Sequence, residues 1–491
     1  MTPSSTLLLP VVFSGLSPLF IWLLRKNINA REGVSFAAGL LTFGAVLTFV
    51  PPVLRGEILT APLFVILPGV EVKFCADGLG LIFALVASFL WILATAYNIG
   101  YMRSLREHAQ TRYYFCFAVA IFGAVGVALS ANVFTLYLFY EVITVFTYPL
   151  VAHHQDEEGY HGARKYLVYL MGTSKLFLLP AMILTYVLCG TLDFRLGDIA
   201  RGIFPADADP VLVQVTYALY VAGLAKAAIM PLHNWLPSAM VAPTPVSALL
   251  HAVAVVKAGV FSICRVLLSG FGVALMDGLG LGAATTLFAA TTILAASVIA
   301  LTKDDLKARL AYSTVSQLSY VVLGVAMLTP MAVTGGVAHI AHHAFSKITL
   351  FFTAGAIYVA THQKKISKMS GMGRRMPWTF GAFAVASLSM IGVPPVSGFV
   401  SKWYLVNGAV GAGYYVLLGA LVASTLLNAA YFTPVVYKAF FEEPAPGVDL
   451  GRFREAPLSM VVPLCVTAAV SVFLGLYPET FIQFIRVLSG N

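Results

Sequence analysis

The residues best suited to chemistry in this sequence are ionisable side chains set inside apolar stretches. The segment GLAKAAIMPLHNWLPSAMVAPTPVSALLHAVAVVKAGVFSICR (223–265) holds Lys226, His233, His251 and Lys257. Pro231, Pro237, Pro243 and Pro245 interrupt it. An ammonium near a bilayer centre costs at least about 2.5–3.5 kcal/mol on insertion scales, so lysines there mark a function. Broken helices at membrane depth persist only where the freed backbone is buried in protein or lines a wet cavity. A lysine before a break and another deep in the next span therefore predict an internal polar path for protons or cations.

Further ionisable groups repeat the pattern. Glu141 lies in NVFTLYLFYEVITVFTYPLVAH, with Tyr137, Thr144 and Tyr148 on its helical face. A carboxylate facing a lysine in apolar surroundings can exchange charge states with it; the alternative is a static hydrogen-bonded glutamate that stitches helices. Lysine suits a proton relay because a buried ammonium can lose its proton, whereas arginine cannot. The competing reading for such lysines is snorkelling to the headgroups. It fails for Lys257, which has apolar residues for about two helical turns on either side. In HIAHHAFSKITLFF, His339, His343 and Lys347 recur at i, i+4 and i+8 along one side of a helix, and His342 points elsewhere. Imidazoles titrate near neutral pH, so this row suits proton hopping. A haem pair would need a facing histidine such as His251, and no carboxylate or cysteine accompanies the row to suggest a metal. Lys402 follows GVPPVSGFVSKW, a second break, where exposed helix ends can hold a water or an ion. Lys175, in MGTSKLFLLP, is either the partner of Glu141 or part of a structural ion pair. The loop HHQDEEGYHGARK (153–165) reads as a solvated loop or a docking surface for another subunit rather than a cation site. The five cysteines form no CxxC pair, and GxGxxG, P-loop and HExxH motifs are missing, so no cofactor or metal is expected.

These side chains need apolar elements to hold them. The 491 residues are 59% hydrophobic and 10% charged, against about 25% charged in soluble domains, which predicts an all-α polytopic membrane protein. Apolar runs predict about fourteen spans, with cores at 5–24, 35–54, 79–101, 113–130, 132–152, 166–189, 211–232, 244–269, 281–302, 309–329, 332–360, 377–411, 413–441 and 457–477. The seventh and twelfth are broken. Lysine and arginine confirm the parity: most lie after odd-numbered spans, among them Arg25, Lys26, Arg103, Lys303, Lys364, Lys438 and Arg452. The net charge of +9 therefore reads as the positive-inside rule rather than affinity for nucleic acid, and both termini fall on the non-cytoplasmic side of a prokaryotic plasma membrane. The N-terminus lacks a basic start and a cleavage site and reads as an uncleaved first span. Breaks five spans apart predict two five-helix repeats of opposite direction. The expected organisation is 1–112 (spans one to three), 113–269 (first repeat), 281–441 (second repeat) and 457–491 (last span and tail).

With those residues in view, the chain resembles the antiporter-like subunits shared by complex I, membrane-bound hydrogenases and multi-subunit Mrp cation/proton antiporters. The resemblance covers roughly 70–440 and rests on YNIGYM (97–102), LFYEVIT (138–144), LAKAAIMPLHNWLPSAMVAPTPVSALLHAVAVVKAG (224–259), KARLAYSTVSQLSYVVLG (307–324), HAFSK (343–347) and PPVSGFVSK (394–402). It implies that Glu141 and Lys226 form the charge pair of a first half-channel, with Lys257 as the central relay. His251, His339, His343 and Lys347 would continue a hydrated line, and Lys402 would be the exit. It further implies a proton-translocating subunit that partners other membrane subunits in the bilayer and moves protons, with Na+ exchanged in the antiporter setting. A lysine at the exit, the length and the ending look most like the Mrp D subunit. The alternatives are a redox-driven pump of the complex I or hydrogenase kind and, in a different class, a stand-alone transporter or a haem- or quinone-binding subunit.

Overall fold

The computed structural model describes residues 6–444, 451 and 454–488. The first residues of the N-terminal reading and Arg452 of the basic set lie outside them. The helices that frame the molecule are α1 (Leu9–Leu23), α2 (Ile28–Leu47), α3 (Gly78–Ser104), α4 (Gln110–Ala128), α5 (Val133–Val151), α6 (Glu157–Cys189), α7 (Pro210–Gly223), α8 (Thr244–Phe271), α9 (Leu281–Leu301), α10 (Leu306–Ala326), α11 (Pro330–Thr361), α12 (Pro377–Ile391), α13 (Ser397–Gly411), α14 (Tyr415–Phe441), α15 (Leu458–Leu476) and α16 (Glu479–Leu488). Ten helices among the described residues are long and apolar enough to cross a membrane, and α1, α7 and α12 are shorter apolar helices. The protein is thus a multi-pass, mostly helical membrane protein.

The all-α expectation needs correcting. Leu59–Leu67 and Val70–Ala76 form an antiparallel two-stranded hairpin between α2 and α3. VEVKFCA is rich in β-branched and aromatic residues, which favour strands. The chain turns at Gly69, whose φ of 75° suits glycine. A Cβ there would also stand 2.7 Å from the Gly190 carbonyl oxygen. The hairpin pairs onward: Cys75 N–H donates to Leu129 O, Val133 N–H to Leu192 O and Phe194 N–H to Ala131 O.

Local chemistry sets the helix starts. Asn132, Asp156 and Asp305 each accept a backbone N–H two or three residues into the following helix, at α5, α6 and α10. The core runs through α8, in which every residue from Thr244 to Phe271 is buried. A helix hydrophobic all round belongs in the middle of a bundle. Arg265 sits at zero exposure inside α8 and makes a two-pronged ion pair with Asp77, at 2.5 and 2.6 Å. A guanidinium buried here is tolerable because its fork matches the carboxylate.

Both expected breaks are present. α7 ends at Gly223; a 3-10 turn covers Ala225–Ala227, and Ala228 is left-handed with φ of 55°. α12 ends at Gly392, with φ of 93°, and α13 resumes at Ser397. The Met230–Pro231 and Pro394–Pro395 peptides are cis. α6 and α8 carry π-helical turns at Ser174–Leu178, Leu249–Val253 and Val266–Phe271, and the first two hold Lys175 and His251.

Candidate functional site

The first group of residues forms around the end of α7. Lys226 is fully buried, and its Nζ donates to Tyr140 O (2.8 Å) and Thr144 Oγ1 (2.7 Å). It also stands 3.1 Å from the centre of the Tyr140 ring, a cation–π contact. Tyr140 Oη in turn accepts the Lys226 backbone N–H. Ala225 O closes the 3-10 turn by accepting the Ala228 N–H at 3.0 Å, and Trp235 Nε1 also donates to it at 3.1 Å. The next span fits against this turn through Gly259. A Cβ at Gly259 would lie 2.3 Å from Ala227 N and from Lys226 C.

Glu141 does not pair with Lys226 in the way the resemblance implies. Its Oε2 lies 3.2 Å from Lys175 Nζ, which also donates to Tyr137 Oη at 2.6 Å. The side-chain exposures are 46% for Lys175 and 13% for Glu141, so this pair faces the rim of the bundle while Lys226 is sealed inside. Lys175 thus meets Glu141, a contact that both readings of Lys175 allow. Lys226 instead binds the neighbours of Glu141 on the same helix. Glu141 Oε1 has no hydrogen-bond partner among the described residues, so the carboxylate keeps an acceptor free.

The second group is a run of contacts across α8, α11, α10 and the α12–α13 break. Lys257 and His343 are buried, and Lys257 Nζ lies 2.6 Å from His343 Nδ1. The His343 and His339 rings stack at 5.8 Å. His339 Nδ1 is 2.8 Å from Ser401 Oγ, and its Nε2 is 3.0 Å from Gln317 Oε1. Gln317 Nε2 donates to Met390 O at 3.4 Å. Lys402 Nζ donates to Met390 O (2.8 Å) and Ile391 O (2.9 Å), the carbonyls freed where α12 stops. Lys402 is thus tied through one carbonyl and one glutamine to the histidine row.

The remaining sequence candidates stand beside this run. Lys347 is buried and donates to Ser313 Oγ (2.5 Å) and Leu310 O (3.3 Å) on α10. His251 is buried against the Phe351 ring at 4.5 Å, and neither of its nitrogens has a hydrogen-bond partner among the described residues. His342 is buried in α11, and neither of its ring nitrogens has a hydrogen-bond partner among the described residues. His233 is half-buried, 6.3 Å from the Tyr312 ring, and is not brought to the run. No hydrogen bond links Lys226 to Lys257 among the described residues; the turn carrying Lys226 packs on Gly259, two residues from Lys257. Sequence reading missed Gln317 and Ser401, although both lie in the STVSQL and PPVSGFVSK motifs. The signal was the polar residue itself inside an apolar helix.

At one end of the bundle a cleft of about 620 Å³ reaches inward between Tyr101, Ser238, Thr244, Lys307 and Tyr358. Lys307 Nζ donates there to Ala242 O at 2.6 Å.

Helices broken at membrane depth around buried amines and imidazoles define a class of ion-translocating membrane proteins. Known proteins narrow the class. The family described as NADH:quinone oxidoreductase/Mrp antiporter, transmembrane, matches residues 130–428. The chain is 33% identical to NADH-quinone oxidoreductase subunit N of Desulforudis audaxviator, over 95% of each chain. It is 32% identical to NADH-quinone oxidoreductase subunit L of Mycobacterium tuberculosis, over 83% of this chain and 63% of that protein. It is 29% identical to Na(+)/H(+) antiporter subunit A1 of Staphylococcus aureus, over 84% of this chain and 53% of that protein. This chain therefore spans only part of the last two. Its fold superposes on a chain of the Mrp complex from Dietzia sp. with a TM-score of 0.87 at 24% identity, covering 100% and 98% of the two chains. It also superposes on a chain of the membrane-bound sulfane sulfur reductase, an archaeal respiratory membrane complex, with a TM-score of 0.84 at 23% identity. The chain belongs to the NADH:quinone oxidoreductase/Mrp antiporter transmembrane family and is one of its antiporter-like membrane subunits.

Proposed function

We propose that this subunit carries protons through its buried lysines and histidines, as a subunit of an Mrp-type Na+/H+ antiporter. The observation that carries the reading is the run of contacts from Lys257 through His343, His339 and Gln317 toward Lys402, hydrogen-bonded except where the His343 and His339 rings stack at 5.8 Å. Each of these groups except Gln317 can hold or release a proton, and Gln317 can orient one. Lys226, with Glu141 and Lys175 beside it, forms a first charge station. Protonation of Lys226 alters its attraction to Glu141 and shifts the balance at Lys257 in turn. Lys347 and His251 flank the central station, and His233 sits on the broken segment after Lys226, apart from that station. The cleft by Thr244 and Lys307 supplies the aqueous approach.

Fourteen spans follow if α1, α7, α10 and the α12–α13 pair cross the membrane along with the ten long helices. The units 113–269 and 281–441 then run in opposite directions around the two breaks, flanked by 1–112 and 457–491. The basic loops put the cleft end in the cytoplasm and both termini on the opposite side. Other membrane subunits complete the complex, as they do in the relatives whose names record one.

The test is Lys257→Ala in the assembled complex, reconstituted in vesicles. Cation-driven proton exchange is expected to vanish while assembly persists; retained exchange with normal assembly overturns the reading. The match to subunit N over nearly the full length of both chains supports a second setting, a redox-driven pump. Purification under mild detergent separates the two, because iron–sulfur subunits accompany the chain only in the second.

A further inference from the structure

The turn between α3 and α4 and the turn between α5 and α6 meet at the cleft end of the bundle. Together they gather Glu107, His108, His153 and His154. One ligand atom from each of Glu107, His108 and His153 lies within 4.8 Å of the others. His153 Nε2 is 3.5 Å and His154 Nδ1 is 3.8 Å from the same Glu107 oxygen. The His108 and His153 rings are 4.8 Å apart between centres.

His153 supplies a second, independent observation. Its side chain is at zero exposure, yet neither ring nitrogen makes a hydrogen bond among the described residues. Buried polar atoms are normally satisfied, and an unsatisfied one needs an explanation. Arg112 Nη2 donates to the His153 carbonyl oxygen at 2.9 Å, which fixes the turn through its main chain rather than through the ring.

We propose that Glu107, His108 and His153 bind one transition-metal dication of the zinc class, with His154 or water in the fourth position. Zinc takes imidazole and carboxylate ligands at about 2.0–2.2 Å in a tetrahedral set, which places the ligand atoms roughly 3.3–3.6 Å apart. The Glu107–His153 and Glu107–His154 contacts are already close to that spacing. His108 is exposed and free to swing the remaining distance. Calcium and magnesium are disfavoured, since both prefer oxygen ligands. Glu107 and His154 also line the cleft that reaches Thr244 and Lys307. A bound ion pins two turns together beside the mouth of that cleft.

The sequence conceals this site because its ligands come from two loops separated by two helices. Read alone, the stretch 153–165, which the structure shows to be a turn running into α6, gives no reason for a cation.

The test is a titration of the full-length protein in detergent with zinc alone, read by calorimetry and by metal content after gel filtration. One equivalent is expected to bind. Affinity should fall at least tenfold in both His153→Ala and the exposed-site variant His108→Ala. His161→Ala, which changes a cleft histidine outside the cluster, should stay within threefold of the parent. X-ray absorption of the loaded protein should show nitrogen and oxygen neighbours with no sulfur. Absence of stoichiometric zinc binding in the parent, unchanged affinity in His108→Ala, or an equal loss in His161→Ala would overturn the proposal.

Discussion

At the residue scale, the site is a set of substitutions of one polar contact for another. Lys226 trades water for a carbonyl, a hydroxyl and an aromatic face, all supplied by α5. Lys402 trades water for the two carbonyls that a helix break sets free. Such partners satisfy an ammonium without fixing its charge, because none of them is a carboxylate. His339 is the joint of the second group, with one nitrogen toward Ser401 and the other toward Gln317. His339→Ala is expected to cut proton exchange by about 10²-fold, the lower end of what positioned proton-transfer groups contribute, while leaving complex assembly intact. Gln317→Ala should cut it less, since Ser401 remains. Proton flux in reconstituted vesicles, normalised to assembled complex, checks both. Much of this site was legible in the sequence. Ionisable residues in apolar runs identify themselves, and the i, i+4, i+8 spacing of His339, His343 and Lys347 placed them on one face. Partner choice was not legible. That Glu141 meets Lys175 rather than Lys226 depends on how α5, α6 and the α7 break rotate against one another, and no local pattern encodes it.

At the element scale, the breaks and the glycines opposite them do the positioning. The turn carrying Lys226 lies on Gly259 of α8, two residues from Lys257. A methyl group there would strike main-chain atoms, which cannot rotate away. Gly259→Ala should therefore destabilise the protein by about 1–3 kcal/mol, as overpacking does, and should weaken proton exchange by moving Lys226 relative to Thr144. Gly172, on α6, has no atom within 4 Å of a built Cβ. Gly172→Ala should be neutral or stabilising by up to about 1 kcal/mol. Thermal unfolding of the two variants in detergent tests the contrast. The breaks were legible because proline and glycine punctuate them. The hairpin Leu59–Leu67/Val70–Ala76 was not foreseen, since its apolar run blends into the hydropathy of the neighbouring spans. The π-helical turns were also invisible, because their extra residue leaves no compositional mark.

At the scale of the whole molecule, the two ends of the bundle are built differently. One end is laced by the hairpin, by backbone hydrogen bonds from Cys75, Val133, Phe194 and Arg195, and by the Asp77–Arg265 pair beneath them. Asp77→Asn strands a buried guanidinium, so it should cost about 3–5 kcal/mol, seen as a large drop in unfolding temperature. α16 packs on the same end, where the Phe484 carbonyl closes over Gly78. The other end opens into the cleft. Amide exchange should accordingly be slow at 129–133 and 192–195 and faster at 237–243 and 302–308. A bundle tied at one end behaves like a sheaf of rods with its fulcrum at the knot. Any rocking of α7 and α8 against α10 and α11 then has little amplitude beside the hairpin and its full sweep at the open mouth. The aperture that admits ions is thereby the part of the molecule with the longest lever arm.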